Sequence, residues 1–380
     1  MKTLSVREMI DRLIAVPSIS AVDPALDMGN VAVLDELGTW LEDEGWDVER
    51  VPVSEGKENL IATRGRGPGG LVLSGHSDTV PYDEGKWSSD PFAVTERDGK
   101  LFGLGTSDMK AFLALAIEAA RHFDDADLKE PLILLATADE EVGMAGAKTL
   151  VAQGRPAARR AVIGEPTGLR PIRLHKGAAM ERLELTGRSG HSSDPRFGAS
   201  ALDGMHAAMG AMMRIREEME AAHQNPELDP PHPTMNFGRI GGGDNPNRIC
   251  AHCELDYDVR ILPGMALSEV RADVHRAVAE AVRGRGLDVA HLALTEGLPP
   301  FETPADSALV KACEKLTGHS ATGVSFGTEA PYLAELGMET IVLGPGDISV
   351  AHQPDEHLPL DRLDPTVTLL RGLIAESCTK

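Results

Sequence analysis

The sequence predicts an α/β protein in which a mostly parallel sheet is flanked by helices and interrupted by an inserted α+β module. The first observation is a set of near-continuous apolar runs at 71–75, 131–138 and 161–164, alternating with helical patterns. Such runs are typical of strands that are buried on both faces of a central sheet. The second observation is a further run of this type at 340–344, close to the C-terminus. The chain is therefore expected to leave this sheet and return to it.

The helices of the α/β part are predicted from apolar residues at helical spacing. They are expected at 5–15, 28–45 and 107–122. A further strand is expected near residue 60, in the segment LIATR. Helices and strands thus alternate along the first part of the chain, as the α/β class requires.

The inserted module has a different pattern. MERLELTG at 180–187 alternates apolar and polar residues, as a strand with one solvated face does. The pattern continues with a helix at 199–222, strands at 235–240 and 253–262, a helix at 267–283 and a strand at 287–295. This β-α-β-β-α-β order is the ferredoxin-like arrangement. The predicted division is 1–175 and 296–380 for the α/β domain, with 176–295 as an inserted satellite domain.

Length and charge narrow the classes of function. A chain of 380 residues is expected to form two domains. Its formal charge of −22, from 37 Lys and Arg against 59 Asp and Glu, argues against nucleic acid or an anionic membrane surface as a partner. No segment approaches the ~20 apolar residues needed to span a bilayer. The N-terminal segment lacks the apolar stretch of a signal peptide, so a cytoplasmic protein is expected.

The four cysteines do not make a disulfide framework in a chain of this size. Cys250 and Cys253 form a CxxC pair, which could indicate a redox pair or a zinc knuckle. There is no second CxxC, and the pair lies within a strand pattern, which favours a structural role.

Acidic and histidine residues follow the predicted buried strands. They are His76 after the first run, Glu140 and Glu141 after the second, Glu165 after the third, His352 in the loop after the fourth, and Asp108 just before a helix. Ligands bind outside the carboxyl ends of parallel strands, so these side chains should converge at one edge. Each has an ordinary alternative when taken alone; Asp108, for example, is a plausible helix N-cap. These ordinary roles do not explain the set as a whole, because all of the residues would have to lie at one edge of the sheet by coincidence.

This set of side chains points to metal ions. A crowd of carboxylates would repel one another unless cations were present. Two imidazoles with carboxylates suit Zn²⁺, or Co²⁺ and Mn²⁺. One carboxylate bridging two ions ~3.5–4 Å apart would leave open positions for water. Of the adjacent pair Glu140 and Glu141, one could ligate while the other accepts a proton, and Asp78 could hold the second imidazole nitrogen of His76.

The sequence resembles the M20 metallopeptidase and deacylase family in segments spread along the chain. They are SGHSDTVP (74–81), GLGTSDMKA (103–111), TADEEVG (137–143), GEPT (164–167) and HQPDE (352–356). The resemblance implies two metal ions bridged by Asp108, one adding His76 and Glu165 and the other adding Glu141 and His352. It further implies Glu140 as general base, Asp78 as the group that orients a ligand, and a satellite domain that mediates homodimer formation.

Within the family, segments 189–195, 247–260, 327–333 and 343–358 resemble members that hydrolyse N-acetyl-L-ornithine to ornithine and acetate in arginine biosynthesis. The alternatives are acetylcitrulline, succinyl-diaminopimelate, other N-acyl amino acids or dipeptides as substrates. A non-catalytic metal-binding relative is disfavoured, because neither a ligand nor the base is missing.

This closer resemblance implies further site residues. His191 would reach the other subunit's site and steady the tetrahedral intermediate. Asn247, Arg260, Gly327 and Thr328 would hold the amino-acid end of the substrate. The planar fork of Arg260 suits a carboxylate, although on its own this arginine could equally form a strand-end salt bridge. Glu329 is a candidate, from its charge, for the distal ammonium of the substrate.

Overall fold

The computed structural model describes residues 3–379, which form two compact units. The first unit comprises the described residues up to Arg173, Thr303–Thr322 and the residues from Thr328 onward. The second comprises Leu174–Glu302 and Gly323–Gly327. Within residues 3–379, no helix combines the length and the apolar character needed to cross a membrane.

Helices and strands are distributed along the whole of residues 3–379. The helices, in chain order, are α1 (Val6–Ile14), α2 (Val31–Asp43), α3 (Lys110–Ala120), α4 (Ala145–Gln153), α5 (Ala201–Ala222), α6 (Leu267–Ala281), α7 (Ala308–Thr317), α8 (Ala330–Glu335) and α9 (Leu363–Cys378). The strands are β1 (Asp47–Ser54), β2 (Lys57–Arg64), β3 (Leu71–His76), β4 (Thr95–Arg97), β5 (Lys100–Phe102), β6 (Leu132–Thr137), β7 (Arg160–Ile163), β8 (Ile172–His175), β9 (Gly177–Thr186), β10 (Thr234–Gly242), β11 (His252–Ile261), β12 (Asp288–Ala293), β13 (Phe301–Glu302), β14 (Thr322–Val324), β15 (Glu339–Val342) and β16 (His357–Pro359).

The large sheet of the first unit has four parallel strands at its centre, in the order β6-β3-β7-β15. β2 and β1 extend it antiparallel on one side, and β15 pairs antiparallel with β8 on the other. The α/β class is confirmed, with parallel pairing confined to the central strands. β1 and β2 are joined by a tight hairpin at Glu55 and Gly56, and a hairpin makes its two strands antiparallel.

The centre of this sheet is deeply buried. Every residue of β3 and β6 is buried, as their continuous apolar runs predict. Helix α3 packs against β3 and between α1 and α9, and nearly all of its residues are buried. The loop before α3 is therefore held close to the carboxyl end of β3.

The second unit has a four-stranded antiparallel sheet in the order β10-β11-β9-β12, with α5 and α6 packed on one face. This is the ferredoxin-like arrangement, as predicted. Buried and more exposed residues alternate along β9 and β11, as expected for a sheet covered on one face. Cys253 lies in the hydrophobic core of this unit. All four cysteines are free thiols.

Candidate metal centre

Each of the four parallel strands leads into a residue that could bind a metal ion. These residues are His76 at the end of β3, Glu140 and Glu141 after β6, Glu165 after β7 and His352 in the loop after β15. Asp108 precedes α3. Because the carboxyl ends of parallel strands meet at one edge of the sheet, residues far apart in the chain come together there.

Asp108 lies between two imidazoles. His76 Nε2 is 3.1 Å from Asp108 Oδ1, and His352 Nε2 is 3.3 Å from Asp108 Oδ2. His352 Nε2 is also 3.1 Å from Glu141 Oε1. Asp108 and His76 are buried, whereas about half of the His352 side chain is exposed. The two oxygens of one buried carboxylate thus face two imidazoles, an arrangement suited to a carboxylate that bridges two cations.

Two groups of side chains are compact enough to hold a cation. The ligand atoms of His76, Asp108 and Glu141 all lie within 4.8 Å of one another, and so do those of His76, Glu140 and Glu165. Glu140 and Glu141 therefore face different neighbours, although they are adjacent in the chain. The side chain of Glu141 is only 7% exposed.

The metal centre concentrates negative charge in a buried place. Burial raises the pKa of Glu140 well above its ordinary value, and repulsion from Glu165 raises it further. Burial also raises the pKa of Glu165 well above its ordinary value, and repulsion from Asp108 adds to this effect. Burial alone would lower the pKa of His76, but the hydrogen bond to Asp108 and the nearby carboxylates raise it well above its ordinary value. Hydrogen bonds to Asp108 and Glu141 raise the pKa of His352 to about 10.

The environment of Glu165 indicates whether these residues are suited to binding cations. Its Oε1 atom is buried and has no hydrogen-bond partner within the described part of the chain. A buried carboxylate oxygen without a partner costs free energy unless a proton or a cation meets it. Imidazole nitrogens and carboxylate oxygens are also the donors that Zn²⁺, Co²⁺ and Mn²⁺ accept. The side chains present therefore fit divalent cations.

Asp78 orients His76 through its main chain. His76 Nδ1 is 3.0 Å from the carbonyl oxygen of Asp78 and 3.7 Å from its Oδ1. Asp78 thus contacts the second imidazole nitrogen of His76, and the closer acceptor is its carbonyl oxygen, not its carboxylate. This contact directs Nε2 towards Asp108. The Asp78 carboxylate instead accepts hydrogen bonds from the backbone N–H groups of Glu140 and Glu141, each at 3.3 Å.

Glu165 follows a glycine that the packing requires. A Cβ atom at Gly164 would lie 2.1 Å from Cγ of Phe112, a buried residue of α3. A larger residue would push α3 away from the end of β7. The loop that carries Asp108 would move with it, so Gly164 keeps Glu165 and Asp108 close together.

Sequence reasoning missed Lys57, which supports the loop after β6. Lys57 is 7% exposed and pairs with Asp27 at 2.7 Å and with Asp139 at 2.5 Å. Asp139 immediately precedes Glu140 and has a φ of 61°, in the left-handed region. The ion pair therefore holds the main chain in an uncommon conformation directly before Glu140.

Sequence reasoning also missed Glu356, although the segment HQPDE contains it. Its buried carboxylate accepts hydrogen bonds from the loop that carries Asp108. Burial, reinforced by repulsion from Asp108, raises the pKa of Glu356 to about 8. The one available signal was a glutamate close to His352 in a short turn-rich segment, and that signal does not reveal burial.

In the second unit, His191 and Asn247 lie in neighbouring loops. The main chains of His191 and Arg248 form an isolated antiparallel β-bridge. The N–H of Ser192 donates to the carbonyl oxygen of Asn247 at 3.1 Å. The N–H of Ser193 donates to His191 Nδ1 at 3.1 Å. Neutral His191 therefore carries its proton on Nε2. The side chain is exposed, so this N–H can donate to a ligand.

Arg260 and Gly327 also belong to the second unit. Arg260 lies near the end of β11, and its Nε donates to Asp258 Oδ1 at 2.9 Å. A Cβ atom at Gly327 would lie 2.0 Å from Leu298 Cδ2. Arg260 thus forms the salt bridge that was one of its two expected roles, and a side chain at Gly327 would require Leu298 to move.

Thr328 and Glu329 belong to the first unit and are buried. Thr328 Oγ1 accepts from the N–H of Ala330 at the start of α8, at 3.1 Å. Glu329 is 1% exposed, and its Oε2 accepts from the Thr137 hydroxyl at 2.8 Å. Glu329 thereby supports Thr137, which pairs with His76 across β6 and β3. Its Oε1 atom is buried and has no hydrogen-bond partner within the described residues, and its expected contact with the substrate ammonium stays a prediction.

A third compact group lies in the second unit and comprises Glu184, His252 and Glu254. Two arginines already balance the charge of Glu254: Arg239 at 2.6 Å and Arg182 at 3.5 Å. This group is therefore a much weaker candidate for a cation than the groups around Asp108.

The chain is similar to known proteins over most of its length. The model of peptidase family M20/M25/M40 matches residues 72–376. The chain is 47% identical to acetylornithine deacetylase of Proteus mirabilis over 98% of this chain and 96% of that protein. It is 45% identical to acetylornithine deacetylase of Pasteurella multocida over 100% and 99% of the two chains.

The fold is also found among solved structures. A tripeptidase from Staphylococcus aureus superposes with a TM-score of 0.76 at 19% identity, covering 98% of this chain and all of that one. The motifs around Asp108, Glu140 and His352 lie within the matched region. By sequence and by fold, the chain belongs to peptidase family M20/M25/M40.

Proposed function

We propose that this chain is a dimetal amidohydrolase that removes the acetyl group from N-acetyl-L-ornithine, giving ornithine and acetate in arginine biosynthesis. The observation that carries the proposal is the position of Asp108, whose two oxygens face His76 and His352. The names of relatives at 45% and 47% identity over nearly the full length support this choice of substrate. We place the reaction in the cytoplasm.

The proposed cofactors are two divalent cations per subunit, with Zn²⁺ preferred over Co²⁺ or Mn²⁺. The family is metal-dependent, and the residues around Asp108 fit such ions. Asp108 would be shared, His76 and Glu165 would complete one site, and Glu141 and His352 the other. When bound, such cations polarise a carbonyl group and lower the pKa of water towards ~7.

Glu140 is the proposed general base. It lies in a compact group with Glu165 and His76, and the family resemblance assigns it to neither ligand set. Its carboxylate accepts a proton from the attacking water while the oxygen of that water bonds to the acyl carbon. As the C–N bond breaks, Glu140 returns the proton to the departing nitrogen. Water is thus divided between acetate and the amine, and Glu140 is regenerated.

Two further groups act on the substrate in this proposal. The Nε2–H of His191 of the partner subunit donates to the oxygen that gains negative charge. Arg260 binds the carboxylate of the amino acid through its planar guanidinium, and Asn247, Gly327 and Thr328 surround the same end of the substrate. The exposure of His191 and its tautomer support the first role.

The proposed assembly is a homodimer formed through the second unit. Exposed apolar side chains on α5 support it: Leu202 is 49% exposed and Met213 is 40% exposed. Apolar groups displayed on one helix gain free energy when a second copy covers them. A dimer would also allow His191 of one subunit to serve the other subunit's metal centre.

A kinetic panel tests the proposed substrate. The metal-free protein is reloaded with Zn²⁺ or Co²⁺ and assayed with N-acetyl-L-ornithine, N-acetyl-L-citrulline, N-succinyl-diaminopimelate, N-acetyl-L-methionine and a dipeptide. We expect the highest kcat/KM with N-acetyl-L-ornithine and no turnover before metal is added. A higher kcat/KM for another member of the panel would overturn the substrate, and full turnover in chelator would overturn the metal chemistry.

A further inference from the structure

Glu356 is a buried carboxylate that the proposed reaction does not use. It is 1% exposed, and it lies four residues after His352. A buried carboxylate is costly unless its oxygens accept hydrogen bonds. Its hydrogen-bond donors therefore show what it holds in place.

One oxygen of Glu356 accepts three hydrogen bonds from a single loop. The N–H groups of Gly105, Ser107 and Asp108 donate to Oε1 at 3.0, 2.7 and 3.0 Å. Backbone N–H groups that converge in this way form a concave site for an anion, and here a side chain of the same protein occupies it. One of the donors is Asp108 itself, so Glu356 fixes the main chain from which the shared carboxylate extends.

The main chain of Glu356 adds another attachment to the same region. Its carbonyl oxygen accepts from the N–H of Gly103 at 3.0 Å. The short segment 352–356 also carries His352, whose imidazole contacts Asp108. Glu356 therefore joins the main chains of the two segments whose side chains meet at the metal centre.

We propose that Glu356 is a positioning residue that holds Asp108 where its two oxygens can serve both cations, and so sets the affinity of the metal centre. The inference rests on the proposed function, because it assumes that Asp108 binds cations. Residues that orient metal ligands typically change metal affinity or activity about 10–100-fold when they are altered. The proposal depends on how far Oε1 of Glu356 extends from its main chain, because the three N–H groups converge on that single atom.

Two conservative substitutions separate acceptor position from charge. Glu356→Gln removes the charge and keeps an acceptor oxygen at the same distance from the main chain. Glu356→Asp keeps the charge and withdraws the acceptor by one methylene, so it cannot reach all three N–H groups. The matched control is Asp355→Asn in the same segment. Asp355 accepts from Ser88, and its φ of 61° suits asparagine.

Binding of Co²⁺ to the metal-free full-length protein is monitored by visible absorption. The kcat and KM values are measured separately at saturating metal. We expect Glu356→Asp to raise the Kd of at least one cation about 10–100-fold and to lower kcat more than it changes KM. Glu356→Gln and Asp355→Asn should bind Co²⁺ as the wild type does. The proposal is overturned if the aspartate variant binds normally, if the glutamine variant is equally impaired, or if Asp355→Asn has the same effect.

The same titration separates this inference from the proposed function. A wild-type protein that binds no cation would refute the metal centre, whereas wild-type binding with unaffected variants would refute only the role of Glu356. Amide hydrogen exchange of the metal-free wild type gives an answer even if Glu356→Asp folds poorly. The amides of Ser107 and Asp108 should be protected, and exchange at the rate of an open loop would contradict the proposal.

Discussion

His352 Nε2 lies 3.3 Å from Oδ2 of Asp108, while the other oxygen of that carboxylate faces His76. In the proposed metal centre, Asp108 therefore belongs to both ligand sets. Glu140 lies in a compact group with His76 and Glu165, but it belongs to neither of the two proposed ligand sets. Substitutions of the proposed ligands should therefore lower metal binding, whereas substitution of the base alone should lower turnover and leave the metal bound.

Glu140→Gln should leave both cations bound and abolish most turnover. The amide keeps the shape of the side chain but cannot accept a proton from water, and general bases typically contribute about 10²–10⁴-fold to the rate. Steady-state kinetics and metal content measured on the same sample test this. Glu42→Gln, an exposed position on α2, is the matched control and should behave as the wild type. Near-normal turnover of Glu140→Gln with both metals bound would exclude Glu140 as the base.

Mixing two inactive variants should restore activity if the active site is shared. His191→Ala lacks the donor and Glu140→Ala lacks the base, so a mixed dimer contains one site with both groups intact. At full exchange, about half of the dimers in an equal mixture are mixed, and recovery should approach a quarter of the wild-type activity per site. Absence of recovery after proven subunit exchange would show that each chain completes its own site.

The stabilisation of the protein by Zn²⁺ should grow as the pH rises from 5 to 7. Burial and mutual repulsion raise the pKa of Glu140, Glu141 and Glu165 above the ordinary value of 4.5. The metal-free folded chain therefore keeps protons that the unfolded chain releases, and its stability falls as the pH rises through this window. A cation has to displace these protons, so its binding strengthens in the same direction.

Thermal unfolding with and without saturating Zn²⁺, at each pH, measures this effect. His291 acts in the opposite direction, because burial lowers its pKa to about 4, but it is one group against several carboxylates. A shift in Tm caused by Zn²⁺ that is constant or declines between pH 5 and 7 would contradict the assignment of the carboxylates.

Lys57→Met should destabilise the first unit and lower turnover. It removes the cation from a partly buried ion pair and leaves Asp27 and Asp139 without it. Breaking such a pair costs roughly 3 kcal/mol, and the loop that begins at Asp139 carries Glu140. Lys86→Met is the control, because its side chain is 67% exposed and surface changes usually stay within about 0.5 kcal/mol. Equal unfolding free energies for the two variants would show that Lys57 is not a structural support.

The convergence of the strand ends could be predicted from the sequence. Continuous apolar runs identified the buried central strands, and the residues that follow such strands must meet at one edge of a parallel sheet. His76, Glu140 and Glu165 were placed by this reasoning alone. The pairing of His352 with Asp108 depended on the family resemblance, because both residues lie in loops whose path the hydrophobic pattern does not determine.

The supporting contacts could not be predicted in the same way. Glu356 and Asp108 are 248 positions apart, and Lys57 and Asp139 are 82 apart. Neither contact follows from a periodic pattern, since Glu356, Asp108 and Asp139 lie in loops and Lys57 is the first residue of β2. The burial of Glu329 could not be predicted for a related reason. Its charge suggested a contact with substrate, which stays a prediction, but the surrounding pattern did not indicate that the carboxylate would be buried against Thr137.

The number of cations bound per subunit tests the central claim most directly. Wild type, His352→Ala and Asp108→Ala are each dialysed against the same low free concentration of Zn²⁺, and the bound metal is counted by elemental analysis. We predict two cations for the wild type, one for His352→Ala, and a loss from both sites in Asp108→Ala, because only Asp108 belongs to both sets of ligands. Retention of two cations by Asp108→Ala, or loss of only one, would contradict the shared carboxylate.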